Sequence, residues 1–275
     1  MTSVPPSQPQ KPAELSAALQ RARRPGFGDA WRLPLDGMDG TAGERFACRA
    51  VAATFGRQVL GIENAEAVAK AKDPFILALN HSQRLEAVVI PAWLALLRGG
   101  RRVHFMADWN FLLLPLVSYV IRAGRSIIVG RKPAKPAFFN RFKSRLVPAE
   151  APMQQAKRLL LEGHSVGIFA EGTTNRNPRR LLRGLSGAAR LSLTTGAPIV
   201  PAGISFPHHD GVASIGDFEP FTIRFGAAIA PSPLPEDPAE AAAAEHALHC
   251  RVMTAISALS GKHWSPENPR TKHAN

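Results

Sequence analysis

The chain has 275 residues, of which 45% are hydrophobic, and a formal net charge of +13 from 34 Lys and Arg against 21 Asp and Glu. This length and composition are enough to bury the core of one large domain. The positive charge favours acidic partners such as anionic lipid or an acidic carrier protein. The basic residues are scattered through apolar segments without a block of interleaved aromatics, which argues against nucleic acid.

The N-terminal region is polar and basic. Residues 1–12 are rich in Pro, Ser and Gln and contain no apolar stretch, so the sequence does not predict a secretory signal peptide. Residues 13–24 predict a short helix with three arginines near its carboxyl end, where cations suit the helix dipole. We expect residues 1–40 to form a flexible basic arm, and a membrane-binding helix is the alternative.

Three apolar stretches in the first half of the chain predict helices. Residues 41–56 repeat apolar side chains at helical spacing and predict an N-terminal amphipathic helix that leads into the domain. Residues 87–97 and 111–121 are apolar but shorter than the roughly 20 residues that a membrane span needs. We interpret both as core helices, and an apolar face lying in the lipid interface is the alternative.

From residue 58 onward, strand-like and helix-like patterns alternate along the chain. The pattern predicts a single α/β domain with a mixed, largely parallel sheet flanked by helices. The predicted strands are 58–62, 74–79, 103–107, 126–129, 165–169, 199–204 and 221–225. The predicted helices between and after them are 84–97, 115–123, 152–162, 186–195 and 238–259. The polar residues 261–275 predict a disordered tail.

The first candidate functional segment joins a predicted strand to a histidine. His81 directly follows the apolar run 75–79, and Glu86 lies five residues further on. On a regular helix this separation would place the two about 140° apart. If the helix begins just after His81, Glu86 can fold back, fix the imidazole tautomer and leave the other ring nitrogen free to take a proton. His-x4-Glu also occurs by chance, so a histidine beside a surface glutamate is the alternative.

Two further segments carry groups suited to a phosphorylated ligand. The strand 126–129 is flanked by glycines and ends in Arg131 and Lys132, and arginine offers a bidentate fork to phosphate. The segment 166–176 is an apolar strand followed at once by polar groups that suit a polyol phosphate, namely Glu171, Gly172, Thr173 and Arg176. The alternatives are an exposed basic strand end and a polar loop.

In this order, the segments resemble the signature of the glycerolipid acyltransferases, the family of 1-acylglycerol-3-phosphate acyltransferase and other lysophospholipid acyltransferases. That signature is Asn-His-x4-Asp, Gly-x-x-Phe-Ile-x-Arg, Phe-Pro-Glu-Gly-Thr-x-x-Arg and a Val-Pro strand. It covers about residues 58–230, and its matching positions here are Asn80, His81, Arg131, Phe169, Glu171, Gly172, Thr173 and Arg176.

The chain departs from the family signature at three positions. Glu86 stands where the family has Asp and is one methylene longer. Arg125 occupies the glycine position of the second motif if Arg131 is aligned without a gap, whereas aligning Gly124 requires one inserted residue. Ala170 replaces the proline before Glu171, which we expect to alter the rigidity of the turn rather than the chemistry.

The resemblance implies an acyltransferase domain over residues 41–260 that works without a covalent acyl-enzyme. No Gly-x-Ser-x-Gly elbow is present, and neither Cys48 nor Cys250 adjoins His81 in the sequence. By resemblance, His81 acts as general base on the acceptor hydroxyl as it attacks an acyl thioester, and Glu86 stabilises the imidazolium. The resemblance assigns acceptor head-group binding to Arg131, Glu171, Gly172, Thr173 and Arg176.

The implied partners are an acyl-CoA or acyl carrier protein donor, a lysophospholipid acceptor and an anionic membrane surface. We expect a cytoplasmic enzyme bound peripherally to the inner face of the membrane. No cofactor or metal is implied, and His208, His209 and Asp210 are interpreted as a solvated loop rather than a metal site. A non-catalytic lipid-binding scaffold with a decayed site, or a basic nucleic-acid-binding module, remains open from the sequence.

Overall fold

The structure is a computed structural model that describes residues 26–134 and 136–270, so the predicted helix 13–24 lies outside the described residues. The first described element is α1, Phe27–Arg32, followed by α2, Ala42–Thr54. Thr41 caps α2, because its hydroxyl accepts from Glu44 N at 3.2 Å while the Glu44 carboxylate accepts from Thr41 N at 3.3 Å.

Residues 26–40 differ from the flexible arm that the sequence predicts. Leu33, Leu35 and Met38 are buried in the main apolar core, although the segment shows no regular hydrophobic period. Arg49 on α2 donates to the backbone oxygens of Ala30, Trp31 and Leu33 at 2.8–3.0 Å, which fixes the segment against the domain.

Seven strands form one sheet in the order β1-β7-β6-β2-β5-β3-β4. The strands are β1 Val59–Glu63, β2 Ile76–Leu79, β3 Val103–Asp108, β4 Ile127–Val129, β5 Ser165–Phe169, β6 Ile199–Ser205 and β7 Phe221–Phe225. Every neighbouring pair is parallel except the antiparallel pair of β6 and β7. The predicted α/β fold with a mixed, largely parallel sheet is therefore confirmed. The carboxyl ends of five adjacent parallel strands, β6 to β4, meet at one edge.

The remaining helices cover both faces of the sheet. They are α3 Glu66–Ala69, α4 Glu86–Leu97, α5 Pro115–Ala123, α6 Lys143–Leu146, α7 Pro152–Leu161, α8 Gly187–Thr195 and α9 Pro238–Ser260, with 3₁₀ turns at Gly56–Gln58, Trp109–Leu113 and Ala137–Phe142. Alternate residues of β2 point to opposite faces, because Leu77 packs in the core with α2 and α4 whereas Ala78 packs in the core with α7 to α9.

The apolar stretches 87–97 and 111–121 form different structures. In α4 nearly every residue after Val88 is buried, so this stretch is a core helix. Residues 111–121 are divided between a 3₁₀ turn and α5, whose first residue is Pro115, and they leave Leu114 and Tyr119 about half exposed. Among the described helices, none is both long and apolar enough to cross a bilayer.

The C-terminal helix α9 packs directly on the central sheet. A Cβ on Gly203 in β6 would clash with the backbone of Leu259 and Ser260, so the missing side chain lets the end of α9 lie against the strand. The sequence predicts a disordered tail from residue 261, but the structure packs residues 261–270 on the loop 179–183. Residues 271–275 lie outside the described residues.

Candidate active site

The site lies at the carboxyl edge of the sheet, where β2 and β5 end side by side. Asn80 at the end of β2 is fully buried and exchanges two hydrogen bonds with Ile204 of β6, at 2.7 and 3.0 Å. The following residue, His81, donates its N–H to Glu171 Oε1 at 3.2 Å and accepts from Asn175 N at 2.7 Å. The histidine loop and the Glu171 loop are thus tied together by their backbones.

His81 and Glu86 form a hydrogen-bonded pair. Helix α4 begins at Glu86 rather than at His81, so the intervening turn lets the carboxylate fold back. Its Oε2 lies 2.9 Å from His81 Nδ1 and accepts from Ser82 N at 2.8 Å. Glu86 is fully buried, and its other oxygen has no hydrogen-bond partner in the described part of the chain. The glutamate, one methylene longer than the family's aspartate, therefore makes a hydrogen bond of normal length to the imidazole.

The imidazole of His81 is held on one face and partly open on the other. Its ring stacks on Phe169 at a centroid distance of 4.1 Å, and 13% of the side chain is exposed. Since Nδ1 faces the carboxylate, it is assigned the proton, and Nε2 is the acceptor. No residue in the ranges 26–134 and 136–270 bonds to Nε2, so this nitrogen is available to take a proton.

Glu171 is buried, and its carboxylate faces neighbouring groups of the protein. The residue is 2% exposed, and its Oε2 accepts from Asn175 Nδ2 at 2.6 Å and from Leu182 N at 2.8 Å, while Oε1 accepts from His81 N. Burial raises the pKa of this carboxyl, and the hydrogen bonds oppose that shift. Both oxygens accept hydrogen bonds from the protein, so Glu171 links the loop of His81 to Asn175 and Leu182. The family resemblance of the sequence implies that Glu171 binds the acceptor head group.

The turn after Glu171 supplies the exposed rim of the site. Gly172 has φ +67°, and a Cβ there would lie 2.5 Å from the Leu185 side chain, so glycine is required. Thr173 next to it is half-buried. Ala170 donates its N–H to Leu79 O at 2.8 Å, a bond that the family's proline cannot make. The substitution thus adds a link between β5 and β2.

Arg176 is engaged with the loop 206–220. Its guanidinium donates to Ile215 O at 2.6 Å and lies 2.6 Å from Asp217 Oδ1. Burial raises the pKa of the Asp217 carboxyl, but the hydrogen bonds from Arg176 and from the backbone N–H of Arg84, together with the charges of these two arginines, outweigh burial and lower the pKa. About a third of the Arg176 side chain is exposed, so part of it is accessible to a ligand.

Arg131 lies on the same edge but away from the histidine. It follows β4, three strand positions from β2, which corresponds to about 14 Å at about 4.8 Å per strand. The residue is exposed and forms no ion pair with any described residue. Arg125 has φ +46°, a conformation that favours glycine, which supports the alignment of the second motif without a gap.

Two residues that the sequence analysis did not select complete the site. Asn175 joins Glu171 to the backbone oxygen of Arg180 at 2.8 Å. Lys262 is 3% exposed, and its Nζ donates to Ser82 Oγ at 2.7 Å and to Asn177 O at 2.8 Å. Burial lowers the pKa of this lysine, and attraction to Glu171 and Glu86 opposes that shift.

The histidines of the loop 206–220 do not assemble a metal site. His209 Nδ1 accepts from Gly211 N at 2.8 Å and lies 3.4 Å from Asp210 Oδ1, and its Nε2 lies 4.0 Å from Glu219 Oε1. Within the described ranges, no group of three His, Cys, Asp or Glu side chains could hold a metal ion.

Comparison with known proteins identifies the family. The family model described as Acyltransferase matches residues 57–205, which is more than half of the chain. The chain belongs to the acyltransferase family. The match spans the pair His81 and Glu86 and the loop of Glu171, and it ends before Lys262. The family resemblance of the sequence motifs is thereby confirmed.

One solved structure with a related fold is the crystal structure of the 1-acyl-sn-glycerophosphate (LPA) acyltransferase, PlsC, from Thermotoga maritima. It is 19% identical to this acyltransferase, with a TM-score of 0.48, and the alignment covers 81% of this chain and 79% of that chain. A search of curated proteins found no match.

Proposed function

We propose that this acyltransferase moves a fatty acyl group from acyl-CoA or acyl carrier protein to the hydroxyl of a lysophospholipid-like acceptor. Lysophosphatidic acid and a lyso-aminolipid such as lyso-ornithine lipid are both candidate acceptors. The observation that carries the proposal is the buried Glu86 carboxylate 2.9 Å from His81 Nδ1, with Nε2 open at the edge of the sheet. A histidine oriented in this way is suited to act as a general base.

The proposed reaction proceeds by direct transfer. His81 Nε2 takes the proton from the acceptor hydroxyl as its oxygen attacks the thioester carbonyl. The new ester C–O bond forms, the C–S bond breaks, and the leaving thiolate recovers the proton from the imidazolium. The Glu86 carboxylate stabilises the imidazolium while it exists. No acyl-enzyme and no cofactor take part.

The assay for this proposal is release of free thiol from acyl-CoA or acyl carrier protein in the presence of a panel of lysophospholipids. Mass spectrometry of the extracted lipid identifies the acylated product and hence the acceptor. We expect thiol release that depends on the acceptor. If no lysophospholipid is acylated with either donor, the protein acts instead as a lipid-binding scaffold.

We also propose that the protein works at an anionic membrane surface on the cytoplasmic side. Residues 131–149 contain six cationic and no acidic residues. Within this segment Phe138 is 56% exposed, and Arg141 lies over the rings of Phe138 and Phe142 at 5.7 and 4.7 Å. An exposed phenylalanine within a segment of excess positive charge suits the interface of an anionic bilayer.

Membrane association is therefore expected to depend on charge. The protein should co-sediment with vesicles that contain an anionic lipid, and raising the salt concentration should release much of it, because the Debye length falls from about 10 Å at 0.1 M to about 3 Å at 1 M. Neutral vesicles and oligonucleotides are the controls. Protein that resists high salt and needs detergent for extraction would contradict peripheral binding.

The two site arginines are expected to act on acceptor binding. Arg131→Ala and Arg176→Ala should each raise the acceptor KM with little change in kcat, because a charge-assisted contact to phosphate contributes about 1.5–3 kcal/mol. Substitution by Lys should rescue only partly, since lysine lacks the bidentate fork. Arg158→Ala on α7 is the matched control, because the ion pairs of Arg158 within residues 26–134 and 136–270 are those with Glu150 and Glu162 on the surface. An unchanged acceptor KM in both site variants would remove these arginines from the site.

A further inference from the structure

The segment after α9 brings a lysine under the histidine loop. The chain turns at Gly261 and then pairs with the loop 179–183: His263 N donates to Arg179 O at 2.8 Å, and Leu181 N donates to His263 O at 2.9 Å. These backbone bonds fix the position of Lys262 from both sides. The lysine lies outside the residues 57–205 that match the family model.

The ammonium of Lys262 begins a chain of hydrogen bonds that ends at His81. Its Nζ donates to Ser82 Oγ at 2.7 Å, and Ser82 is fully buried. The N–H of the same serine donates to Glu86 Oε2 at 2.8 Å, and that oxygen lies 2.9 Å from His81 Nδ1. The position of Ser82 therefore determines the position of the oxygen that orients the imidazole.

The charges around the lysine support the same link. Glu86 is fully buried and Glu171 is 2% exposed, and both carboxylates attract the Lys262 ammonium. Buried charges are stable in proteins only when they are paired or hydrogen-bonded. Glu86 Oε1 has no hydrogen-bond partner among the described residues, so hydrogen bonds stabilise only part of the buried negative charge. The nearby Lys262 ammonium stabilises it further.

We propose that Lys262 is a positioning residue for the acyl-transfer reaction, acting through Ser82 to hold Glu86 and thereby the imidazole of His81. The inference rests on the proposed function of His81. It makes the C-terminal segment part of the working site, although that segment lies more than 50 residues beyond the end of the family match. Lys262 does not touch the substrate in this proposal.

The alternative role of Lys262 is structural. Its bond to Asn177 O at 2.8 Å also anchors the C-terminal segment to the chain just before the loop 179–183, and an anchor alone would support folding without affecting the turnover of the folded protein. The two roles differ in kcat, because a positioning residue changes the rate per folded molecule. They also differ in whether Lys262 and Ser82 act on the same step.

The test compares kcat, both KM values and the Tm of four proteins: the unmodified chain, Lys262→Met, Lys262→Arg and Lys72→Met. Lys72 is exposed and precedes β2, at the opposite end of that strand from the site, so Lys72→Met is the matched control. We expect Lys262→Met to lower kcat by about 10²-fold with little change in either KM, since small displacements of a catalytic group have effects of that size. Lys262→Arg should recover part of the loss.

Ser82→Ala and the double variant test the route. Removing the Ser82 hydroxyl takes away the acceptor of Lys262 and leaves the N–H to Glu86 in place, so kcat should fall. If the lysine acts through the serine, the kcat of the double variant Ser82→Ala/Lys262→Met should be no lower than the kcat of Lys262→Met alone. If Lys262→Met does not fold, the kcat of Ser82→Ala decides, because this variant keeps the anchor to Asn177.

The outcomes separate this inference from the proposed function. An unmodified protein without acyl transfer would overturn the proposed function. If the unmodified protein is active, and either Ser82→Ala or folded Lys262→Met has the same kcat as the unmodified protein, the positioning role is overturned and the proposed function stands. A lowered Tm at unchanged kcat would leave Lys262 as an anchor.

Discussion

Replacement of His81 by alanine is expected to abolish acyl transfer while leaving the protein folded. A general base contributes about 10²–10⁴-fold to the rate, and here no other described histidine lies at the end of β2 or β5 to take over. Folding should survive, because the links from His81 to Glu171 and Asn175 use its backbone, not its imidazole. The measurement is thiol release, with circular dichroism and vesicle co-sedimentation on the same sample.

His246→Ala is the matched control for this experiment, since His246 is exposed on α9, away from the carboxyl edge of β2. It should retain normal activity and stability. If His81→Ala keeps full transfer activity, the mechanism proposed for this site is wrong, whatever the activity of the unmodified protein.

The regular elements could be predicted because their hydrophobic periods are local. β5, β7 and α5 begin and end at the residues predicted for the strands 165–169 and 221–225 and the helix 115–123. The other strands, and the helices predicted at 41–56, 84–97, 152–162, 186–195 and 238–259, shift by two residues or fewer at each end. The break between the 3₁₀ turn and α5 follows from Pro115, which suits the first position of a helix. Helix α4 was predicted from residue 84 and begins at Glu86, and this shift matters because it allows the carboxylate to face His81.

The parts of the site that could not be predicted depend on contacts distant in the sequence. A glutamate in a polar turn has the same local pattern whether it faces a ligand or, as Glu171 does, the backbone of His81 and Leu182. Residues 261–270 are polar and carry no hydrophobic period, so their order comes from backbone pairing with the loop 179–183. Trp264, which donates to Arg183 O at 3.1 Å, is the local signal that a packed segment was present.

Substitution of Glu86 by glutamine is expected to lower kcat by about 10²-fold or more with little change in either KM. Glutamine has nearly the same shape, and its oxygen can still accept from His81 Nδ1 and Ser82 N. The loss is therefore the negative charge that stabilises the imidazolium in the transition state, where kcat and kcat/KM fall together. Glu66→Gln, at an exposed position of α3, is the control for the same substitution.

Glu86→Asp tests whether the site is built around the longer carboxylate. The single oxygen Oε2 serves both His81 Nδ1 at 2.9 Å and Ser82 N at 2.8 Å, from a residue at the very start of α4. Shortening the side chain by one methylene withdraws that oxygen, so the aspartate cannot keep both bonds unless α4 shifts. Helix α4 is packed throughout the core and resists such a shift.

We therefore expect Glu86→Asp to be slower than the unmodified protein but faster than Glu86→Gln, because it keeps the charge and loses the geometry. The measurement is kcat of the three proteins side by side, with the Tm of each. A rate higher than that of the unmodified protein would show that Glu86 weakens a site whose spacing still suits the family's aspartate. In that case the two bonds to Oε2 would not be the arrangement on which catalysis depends.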